Sequence, residues 1–317
     1  MKVPGVARLE TLVRRRAAGG WFRALTQLAS RRHGRLPACA TLVRRGAGVA
    51  AAVLLVCATG CRPASPTENG PRVAVTSSYL EAAVRDLLGA DTPVLRLSEP
   101  GSCPGHFDLR PSQAGALRGC VLLLRFDFQK GLDARLAGGA GRRPRVAAVR
   151  VPGGMAQPTS YAAACRQTAE ALVAAGLLGR DRAGRRLAAI ARRLAALAEE
   201  AQRAARAAGW RDTPVLASTH QRDFCAWLGL RVVGVFRGAD TASIREIETA
   251  IRRGREAGAR WVIANRPEGR RTADALAERL GARVVVFENF PTPGPAGLSF
   301  DALVRANLRA LREAAGS

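Results

Sequence analysis

The sequence has no apolar run long enough to cross a bilayer and no glycine repeat of the collagen kind. A membrane-spanning helix needs about 20 consecutive apolar residues, and the uncharged apolar run Gly46–Gly60 is shorter than that. With a hydrophobic content of 48%, these absences exclude multi-span membrane, collagen-like and intrinsically disordered proteins. A chain of 317 residues has room for two domains of about 100–200 residues each.

Lysine is almost missing, although the formal net charge is +25. Lys2 and Lys130 are the only lysines, and arginine supplies the rest of the 50 basic residues. Together with the heavy use of alanine and glycine, this indicates a coding bias. Residues 1–45 carry a large part of the charge, and no basic run is interleaved with aromatic residues that would stack on bases. We therefore expect no nucleic-acid partner.

The apolar run lies between a basic leader and a cysteine. Arg44 and Arg45 precede it, and its length fits the hydrophobic region of a secretory signal peptide. Residues 58–61 (Ala-Thr-Gly-Cys) resemble a bacterial lipobox, whose cysteine is lipidated and becomes the mature N-terminus. We predict lipidation at Cys61, and hence an exported protein anchored to the periplasmic or extracytoplasmic face of a membrane. A buried helix that ends at a chance cysteine is the alternative.

Short apolar runs alternate with amphipathic stretches from residue 72 onwards. This alternation is typical of βαβ units with parallel strands. The predicted strands are Val73–Thr76, Val94–Leu97, Val121–Phe126, Val146–Val149, Val215–Ser218, Val232–Val235, Trp261–Ala264 and Val284–Phe287. Because the scheme occurs twice, the sequence predicts an α/β protein of two similar parallel-sheet lobes, with a ligand cleft between them.

The longest helical pattern lies between these lobes, at about residues 180–208. Apolar residues recur there every three or four positions, at Leu187, Ile190, Leu194, Leu197 and Ala201. This spacing makes one apolar stripe along a helix. A coiled coil is one interpretation. We predict instead a single backbone helix that packs along both lobes, joins them and limits hinge closure.

The predicted domains follow from these patterns. The leader is long for a signal peptide, which indicates a start codon nearer residue 43. The expected segments are a leader with signal peptide at 1–61, a flexible tether at 62–71, an N-terminal α/β lobe at 72–178, a linking helix at 179–209 and a C-terminal α/β lobe at 210–317.

Four cysteines follow the predicted lipidation site: Cys103, Cys120, Cys165 and Cys225. An even number of cysteines outside the reducing cytosol permits disulfides, and four cysteines allow three pairings. The sequence is compatible with all three disulfide pairings.

Histidine is scarce in the predicted mature chain, which contains only His106 and His220. Each stands just after a predicted strand or in a loop near one. Ligand sites of parallel α/β lobes form at such strand ends. Because a lone histidine is more often structural, the residues around each one decide its interpretation.

Both histidine segments resemble the zinc- and manganese-binding proteins of bacterial ABC importers, periplasmic solute-binding proteins of the cluster A-I type. Residues 99–117 contain a Pro-Gly loop, His106 and then a Pro-Ser pair that opens a helix, as in the first lobe of that family. Residues 218–235 resemble its strand, histidine, helix, glycine and strand unit, with His220 at the ligand position. The resemblance covers roughly residues 72–317.

The resemblance implies a metal site between the lobes. Its ligands would be His106, His220 and a late carboxylate that corresponds to Glu288. An oxygen ligand beside two imidazoles suits Zn²⁺ or Mn²⁺, and we expect Zn²⁺ first and Mn²⁺ next. An ordinary surface role for Glu288 is the alternative.

Two family positions differ in this chain. The place of a second first-lobe histidine falls near Gly153, where no strong ligand stands, and a position that often carries Glu-Pro holds Asn265 and Arg266.

Other side chains could replace the missing imidazole. Cys103 lies three residues before His106, and Cys225 lies five residues after His220, so one thiolate could reach the cleft. Asn265 is a further candidate ligand. A disulfide or a buried apolar role is the alternative for both cysteines. The weaker candidates are Asp108, Asp223, Met155 and Gln157.

The predicted function is a monomeric, lipid-anchored binding protein that takes a divalent metal ion between its lobes and delivers it to an ABC permease. The alternative keeps the fold but binds a metal chelate or a small organic ligand, as siderophore- and cobalamin-binding proteins do. Arg110, Arg222 and Arg266 could then pair with ligand carboxylates. We expect no enzyme, because the sequence has no nucleophile elbow, phosphate-binding glycine loop or protease Cys-His signature.

Overall fold

The computed structural model describes residues 70–100, 109–137, 143–294 and 297–316. The predicted signal peptide and Cys61 lie outside these residues, and so do Cys103, His106 and Asp108. None of the helices in the described ranges combines the length and the apolar character that crossing a membrane requires.

The first lobe is built on a four-stranded parallel sheet. Its elements are β1 (Val73–Val75), α1 (Ser78–Leu88), β2 (Val94–Arg96), α2 (Pro111–Leu117), β3 (Leu122–Phe126), α3 (Gly131–Ala137), β4 (Arg145–Val149) and α4 (Pro158–Ala174), followed by the long helix α5 (Arg180–Ala207). The strands lie in the order β2-β1-β3-β4, and every neighbouring pair is parallel.

The second lobe repeats this architecture. Its elements are β5 (Pro214–Ser218), α6 (Arg222–Trp227), β6 (Arg231–Phe236), α7 (Ile244–Glu256), β7 (Trp261–Asn265), α8 (Arg271–Leu280), β8 (Arg283–Phe287), a short antiparallel hairpin of β9 (Pro293–Gly294) and β10 (Gly297–Leu298), and α9 (Phe300–Gly316). The four long strands lie in the order β6-β5-β7-β8 and are parallel. The eight predicted strands and the two parallel-sheet lobes are therefore confirmed.

Local sequence sets the beginnings of several helices. The Ser77 hydroxyl accepts a hydrogen bond from the first turn of α1, and Ser243 and Glu246 form a capping box at the start of α7. Pro111 and Pro158 stand in the first turns of α2 and α4, where the fixed φ of proline is already helical. Capping side chains and prolines thus mark the beginnings of these four helices.

The helix α5 packs on both lobes, as its apolar stripe predicts. Ile190, Leu194, Leu197 and Ala201 are buried in one continuous core that also contains strand residues of both sheets. Burial of each large side chain of this stripe contributes about 1.5–3 kcal/mol. Because the stripe is covered by the lobes of the same chain, the coiled-coil interpretation does not apply.

Aromatic side chains also connect the lobes directly. Phe300, at the start of α9, stacks on Tyr161 of α4 with ring centroids 4.1 Å and planes 3° apart. Phe300 and Tyr79 also form a T-shaped pair, with ring centroids 6.0 Å apart. Phe290 of the second lobe lies 6.5 Å from Phe126 of the first. Aromatic pairs of this kind contribute about 0.5–1.5 kcal/mol beyond their buried area, so they strengthen the junction of the two lobes.

Three of the four cysteines that could form disulfides are buried free thiols: Cys120, Cys165 and Cys225. Burial raises the pKa of Cys120 to about 11. Within the described residues these three cysteines form no disulfide with one another.

Candidate functional site

The candidate ligands of the second lobe lie at one edge of its sheet. The strand β5 ends at Ser218, and His220 follows two residues later. The strands β7 and β8 end at Asn265 and Phe287, and Glu288 comes next. Because the strands are parallel, their carboxyl ends meet at the same edge, which is where open α/β sheets bind ligands. The fold therefore brings His220, Asn265 and Glu288 to the edge at which binding is expected.

His220 presents an open imidazole at this edge. Its side chain is 57% exposed, and its backbone N–H donates to the Ser218 hydroxyl oxygen at 3.3 Å. The imidazole Nε2 lies 3.6 Å from Oε1 of Glu268, which exceeds the 2.7–3.2 Å of an N–H···O hydrogen bond. The ring is thus held next to a carboxylate without a direct hydrogen bond to it.

Glu268 is a functional candidate that the sequence reasoning missed. It ends the 3₁₀ turn Arg266–Glu268 that follows β7. Its Oε2 accepts a hydrogen bond from the Ser218 hydroxyl, and its Oε1 accepts one from the Gly238 N–H at 3.3 Å. A Cβ at position 238 would lie 3.1 Å from the Glu268 Cβ, so glycine permits this close contact. The available signal was an acid close behind the strand-end residue Asn265, although not at the strand end itself.

Glu288 forms an ion pair with an arginine of its own lobe. One oxygen, Oε1, forms an ion pair with Arg266. The other, Oε2, is buried and has no hydrogen-bond partner among the described residues. The backbone N–H of Glu288 donates to Oδ1 of Asn307 at 2.8 Å, and Nδ2 of Asn307 donates to the Glu288 carbonyl at 3.0 Å. A metal ion would therefore have to share a well-positioned carboxylate with the guanidinium group.

Asn265 belongs to a buried amide cluster. Its Oδ1 accepts a hydrogen bond from Nε2 of Gln221 at 3.1 Å, and the same Nε2 donates to Oδ1 of Asn289 at 2.8 Å. All three side chains are at least 96% buried. The Asn265 amide thus holds the start of α6 against two strand ends and is not open to solvent.

Cys225 lies in the core and not at the edge of the sheet. Its side chain is fully buried among apolar residues of both lobes, and this burial raises the pKa of the thiol. The thiolate is the form that binds metals, so burial disfavours Cys225 as a ligand. Its position agrees with the alternative of a buried apolar residue.

The loop after β4 contacts the second lobe. This loop contains Gly153, near which the resemblance places a second first-lobe histidine that the chain lacks. Gly153 has a φ of +73°. A Cβ at Gly154 would lie 3.0 Å from the Phe224 backbone N and 3.3 Å from the Asp223 Cβ. Nε2 of Gln157 donates to the Asp223 carbonyl at 2.7 Å. Glycine thus permits close contact of the two lobes, and the Gln157 amide nitrogen joins them.

The arginines proposed for an organic ligand are already engaged. Each forms an ion pair with a carboxylate of this chain: Arg110 with Glu99, Arg222 with Asp223 and Arg266 with Glu288. Each would have to leave its partner, in whole or in part, to bind a ligand carboxylate. Of the remaining weaker candidates, Met155 packs against the core.

The described residues do not by themselves form a complete metal site. Among them, no three His, Cys, Asp or Glu side chains lie close enough together to hold an ion. The first-lobe histidine, His106, lies outside the described residues.

Comparisons with known proteins agree with this architecture. The chain matches the family described as zinc-uptake complex component A, periplasmic (ZnuA), over residues 73–314. It is similar to the Mn-bound periplasmic metal binding protein of Candidatus Liberibacter asiaticus, with a TM-score of 0.64, 11% identity and coverage of 77% of this chain and 98% of that chain. A Cd-bound structure of the same protein gives the same values.

A crystal structure of ZnuA has a TM-score of 0.63 and 15% identity to the chain, and covers 78% of this chain and 99% of that chain. At these identities the solved structures show a shared fold. No curated protein sequence matches the chain.

Proposed function

Because the chain belongs to the family of periplasmic zinc-uptake components, we propose that it binds a divalent metal ion between its lobes and delivers it to the permease of an ABC importer. Zn²⁺ is the expected ion and Mn²⁺ the next, and His106, His220 and Glu288 are its proposed ligands. The ion is cargo, and the family is one of solute-binding proteins and not of enzymes.

The geometry of His220 carries the proposal. This imidazole is open at the carboxyl edge of the second sheet, a few residues before Asp223 and Phe224, which contact the first lobe. The donors at this edge are nitrogen and oxygen atoms, because the Cys225 thiol is buried in the core. Imidazole with carboxylate suits Zn²⁺ and Mn²⁺ better than it suits Cu(I), which prefers sulfur ligands.

We further propose that lipidation at Cys61 anchors the protein at the extracytoplasmic side of a membrane. The support is the apolar run before the lipobox-like residues 58–61. In this arrangement residues 62–71 tether a two-lobed domain with lobes at 72–178 and 210–317, joined by the helix at 179–209. Cys61→Ala should release the protein from membranes in a fractionation experiment.

Metal content tests the proposed function. We expect near-stoichiometric Zn²⁺ or Mn²⁺ in the protein purified from the periplasm, measured by mass spectrometry, and none in a His106→Ala, His220→Ala double variant. Glu278→Gln, on the exposed surface of α8, is the control and should keep the ion. A wild-type protein that carries no metal, and binds none when Zn²⁺ or Mn²⁺ is added, would contradict the proposal.

A metal chelate or small organic ligand is the second candidate. It is favoured by the lack of a histidine at the family position near Gly153, and by the absence of any three-ligand group in the part of the chain that is described. The ion pairs of the three candidate arginines argue against it. A ligand that binds only the native state raises the melting temperature. Stabilisation by a ferric siderophore or cobalamin, with none by Zn²⁺ or Mn²⁺, would select this candidate.

A further inference from the structure

Glu268 and His220 lie at a separation that suits two ligands of one ion. The imidazole Nε2 and the carboxylate Oε1 are 3.6 Å apart. Two donor atoms bound at about 2.0–2.2 Å from a tetrahedral Zn²⁺ are about 3.3–3.6 Å apart. The observed distance is therefore close to that of neighbouring ligands and longer than a hydrogen bond.

From this geometry we propose that Glu268 is a direct ligand of the transported ion and forms, with His220, a two-donor half-site on the second lobe. The assignment rests on the proposed function, because it adds a ligand to the same ion. Neither the family resemblance nor the strand-end pattern assigns a role to Glu268.

Hydrogen bonds hold the Glu268 carboxylate in place before any ion arrives. The Ser218 hydroxyl binds Oε2, and the Gly238 N–H binds Oε1. The Ser218 oxygen also accepts the backbone N–H of His220, so one serine positions both proposed ligands. Each carboxylate oxygen has two lone pairs, and Oε1 accepts a single hydrogen bond from the described residues. One lone pair of Oε1 remains for a cation, and partners of this kind orient metal ligands.

Glu268 also differs from Glu288 in its charge environment. Arg266 neutralises Glu288, whereas no arginine in the described ranges forms an ion pair with Glu268. The side chain of Glu268 is 20% exposed, so a cation can reach it without displacing a guanidinium group. A carboxylate that is oriented by hydrogen bonds, beside an open imidazole and without an arginine partner among the described residues, is the stronger attraction for a divalent ion.

A ligand at position 268 compensates for the donor that is missing near Gly153. The replacement exchanges an imidazole nitrogen of the first lobe for a carboxylate oxygen of the second. Oxygen donors favour Mn²⁺ more than nitrogen donors do. The half-site therefore moves the preference of the protein towards Mn²⁺ without excluding Zn²⁺.

The test compares Glu268→Gln with the wild type, using Zn²⁺ alone in calorimetric titrations and Co²⁺ alone as a spectroscopic probe. Glutamine keeps the size of the side chain and removes its charge. We expect Zn²⁺ affinity to fall by at least about 100-fold, the upper end of the loss caused by removing a partner that only orients a ligand. The visible absorption bands of bound Co²⁺ should change as well. Glu278→Gln makes the same charge change on α8 and should alter neither quantity.

A Glu268→Gln variant with an unchanged Co²⁺ spectrum overturns the ligand assignment, whether its Zn²⁺ affinity is intact or reduced. If the metal-free variant lacks the circular dichroism spectrum of the wild type, Gly238→Ala takes its place. The new Cβ pushes against Glu268 and displaces the carboxylate without removing its charge, so weaker Zn²⁺ binding and a changed Co²⁺ spectrum are expected and unchanged values overturn the assignment. A wild type that binds neither ion contradicts the proposed function itself, a result distinct from a wild type and a variant that bind equally.

Discussion

Cys225 lies five residues after His220, yet its thiol is fully buried while the imidazole is half exposed. His220 stands in the turn between β5 and α6, at the edge of the sheet. Cys225 stands on the face of α6 that, with Phe224, packs into the core. At the scale of single residues, depth below the surface decides which side chain can bind an ion, and spacing along the chain does not report that depth.

Replacement of Cys225 tests this distinction. Cys225→Ala should leave Zn²⁺ affinity unchanged and reduce the free energy of unfolding by about 1 kcal/mol, since it removes one buried sulfur atom. Cys225→Ser should reduce it by about 1–3 kcal/mol, because it buries a hydroxyl group among apolar residues. Urea unfolding and calorimetric titration measure the two effects. A folded Cys225→Ala protein that no longer binds Zn²⁺ would make the thiol a ligand after all.

Arg266 competes with a metal ion for Glu288, and its removal should strengthen binding. Arg266→Gln releases the carboxylate from an ion pair worth up to about 1 kcal/mol, which corresponds to about a 5-fold gain in Zn²⁺ affinity. Arg222→Gln removes the same charge next to Asp223 and corrects for long-range electrostatics. If calorimetry gives both variants equal affinities, Glu288 is not a ligand.

At the scale of elements, α5 joins the lobes through one arginine as well as through its apolar stripe. Arg193 donates two hydrogen bonds to Asp86 of α1, at 2.8 and 2.6 Å, and lies 3.3 Å from Asp301 of α9. Tyr161 of α4 donates to the same Asp86 at 2.8 Å. Helices from both lobes therefore meet at one side chain of the long helix.

Loss of this arginine should destabilise the whole fold. Arg193→Met leaves two mostly buried carboxylates without their cation, and we expect the free energy of unfolding to fall by about 2–4 kcal/mol. This is less than the loss for a fully buried pair, because Arg193 is 39% exposed. Arg203→Met, on the exposed side of the same helix, breaks only a surface pair with Glu199 and should change it by about 0.5 kcal/mol or less. Similar midpoints of the two variants in urea would contradict the role of Arg193.

At the scale of the whole molecule, the two lobes share one continuous core and a charged contact at its surface. Within that contact, burial raises the pKa of the Asp301 carboxyl. The positive charges of Arg193 and Arg305 oppose this rise in pKa, and the negative charges of Asp86 and Glu200 add to it. The folded protein therefore holds this proton more tightly than the unfolded chain, so Asp301 lowers the free energy of unfolding as pH rises from about 3.8 through the folded pKa.

The pH dependence of stability tests this interface. Asp301→Asn removes the titration, so the variant should gain stability relative to the wild type as pH rises from about 4 to 7. Glu200→Gln should change in the opposite direction. The hydrogen bond from Arg305 lowers the pKa of Glu200, so the wild-type carboxylate stabilises the fold above its unfolded pKa and loses that effect as pH falls. Urea unfolding at several pH values measures both, and parallel curves for the wild type and Asp301→Asn would contradict the argument.

Periodic patterns along the chain were enough to predict the eight strands, the long helix and the two parallel-sheet lobes. A strand or a helix depends on neighbours within a few residues, so apolar runs and spacings of three or four report it directly. The predicted strand bounds also placed His220 and Glu288 shortly after strand ends. Because parallel strands bring their carboxyl ends to one edge, both residues were expected at that edge.

Contacts between distant residues were decided only by the tertiary structure. Ser218, Gly238 and Glu268 come from three separate segments of the chain, and no local pattern reports that their atoms meet. The same holds for the pairing of Arg266 with Glu288 and for the burial of Cys225. Such contacts depend on the order of strands in the sheet and on the packing of helices against it. Neighbours in sequence determine the elements of this protein, and neighbours in space determine which of its side chains can hold an ion.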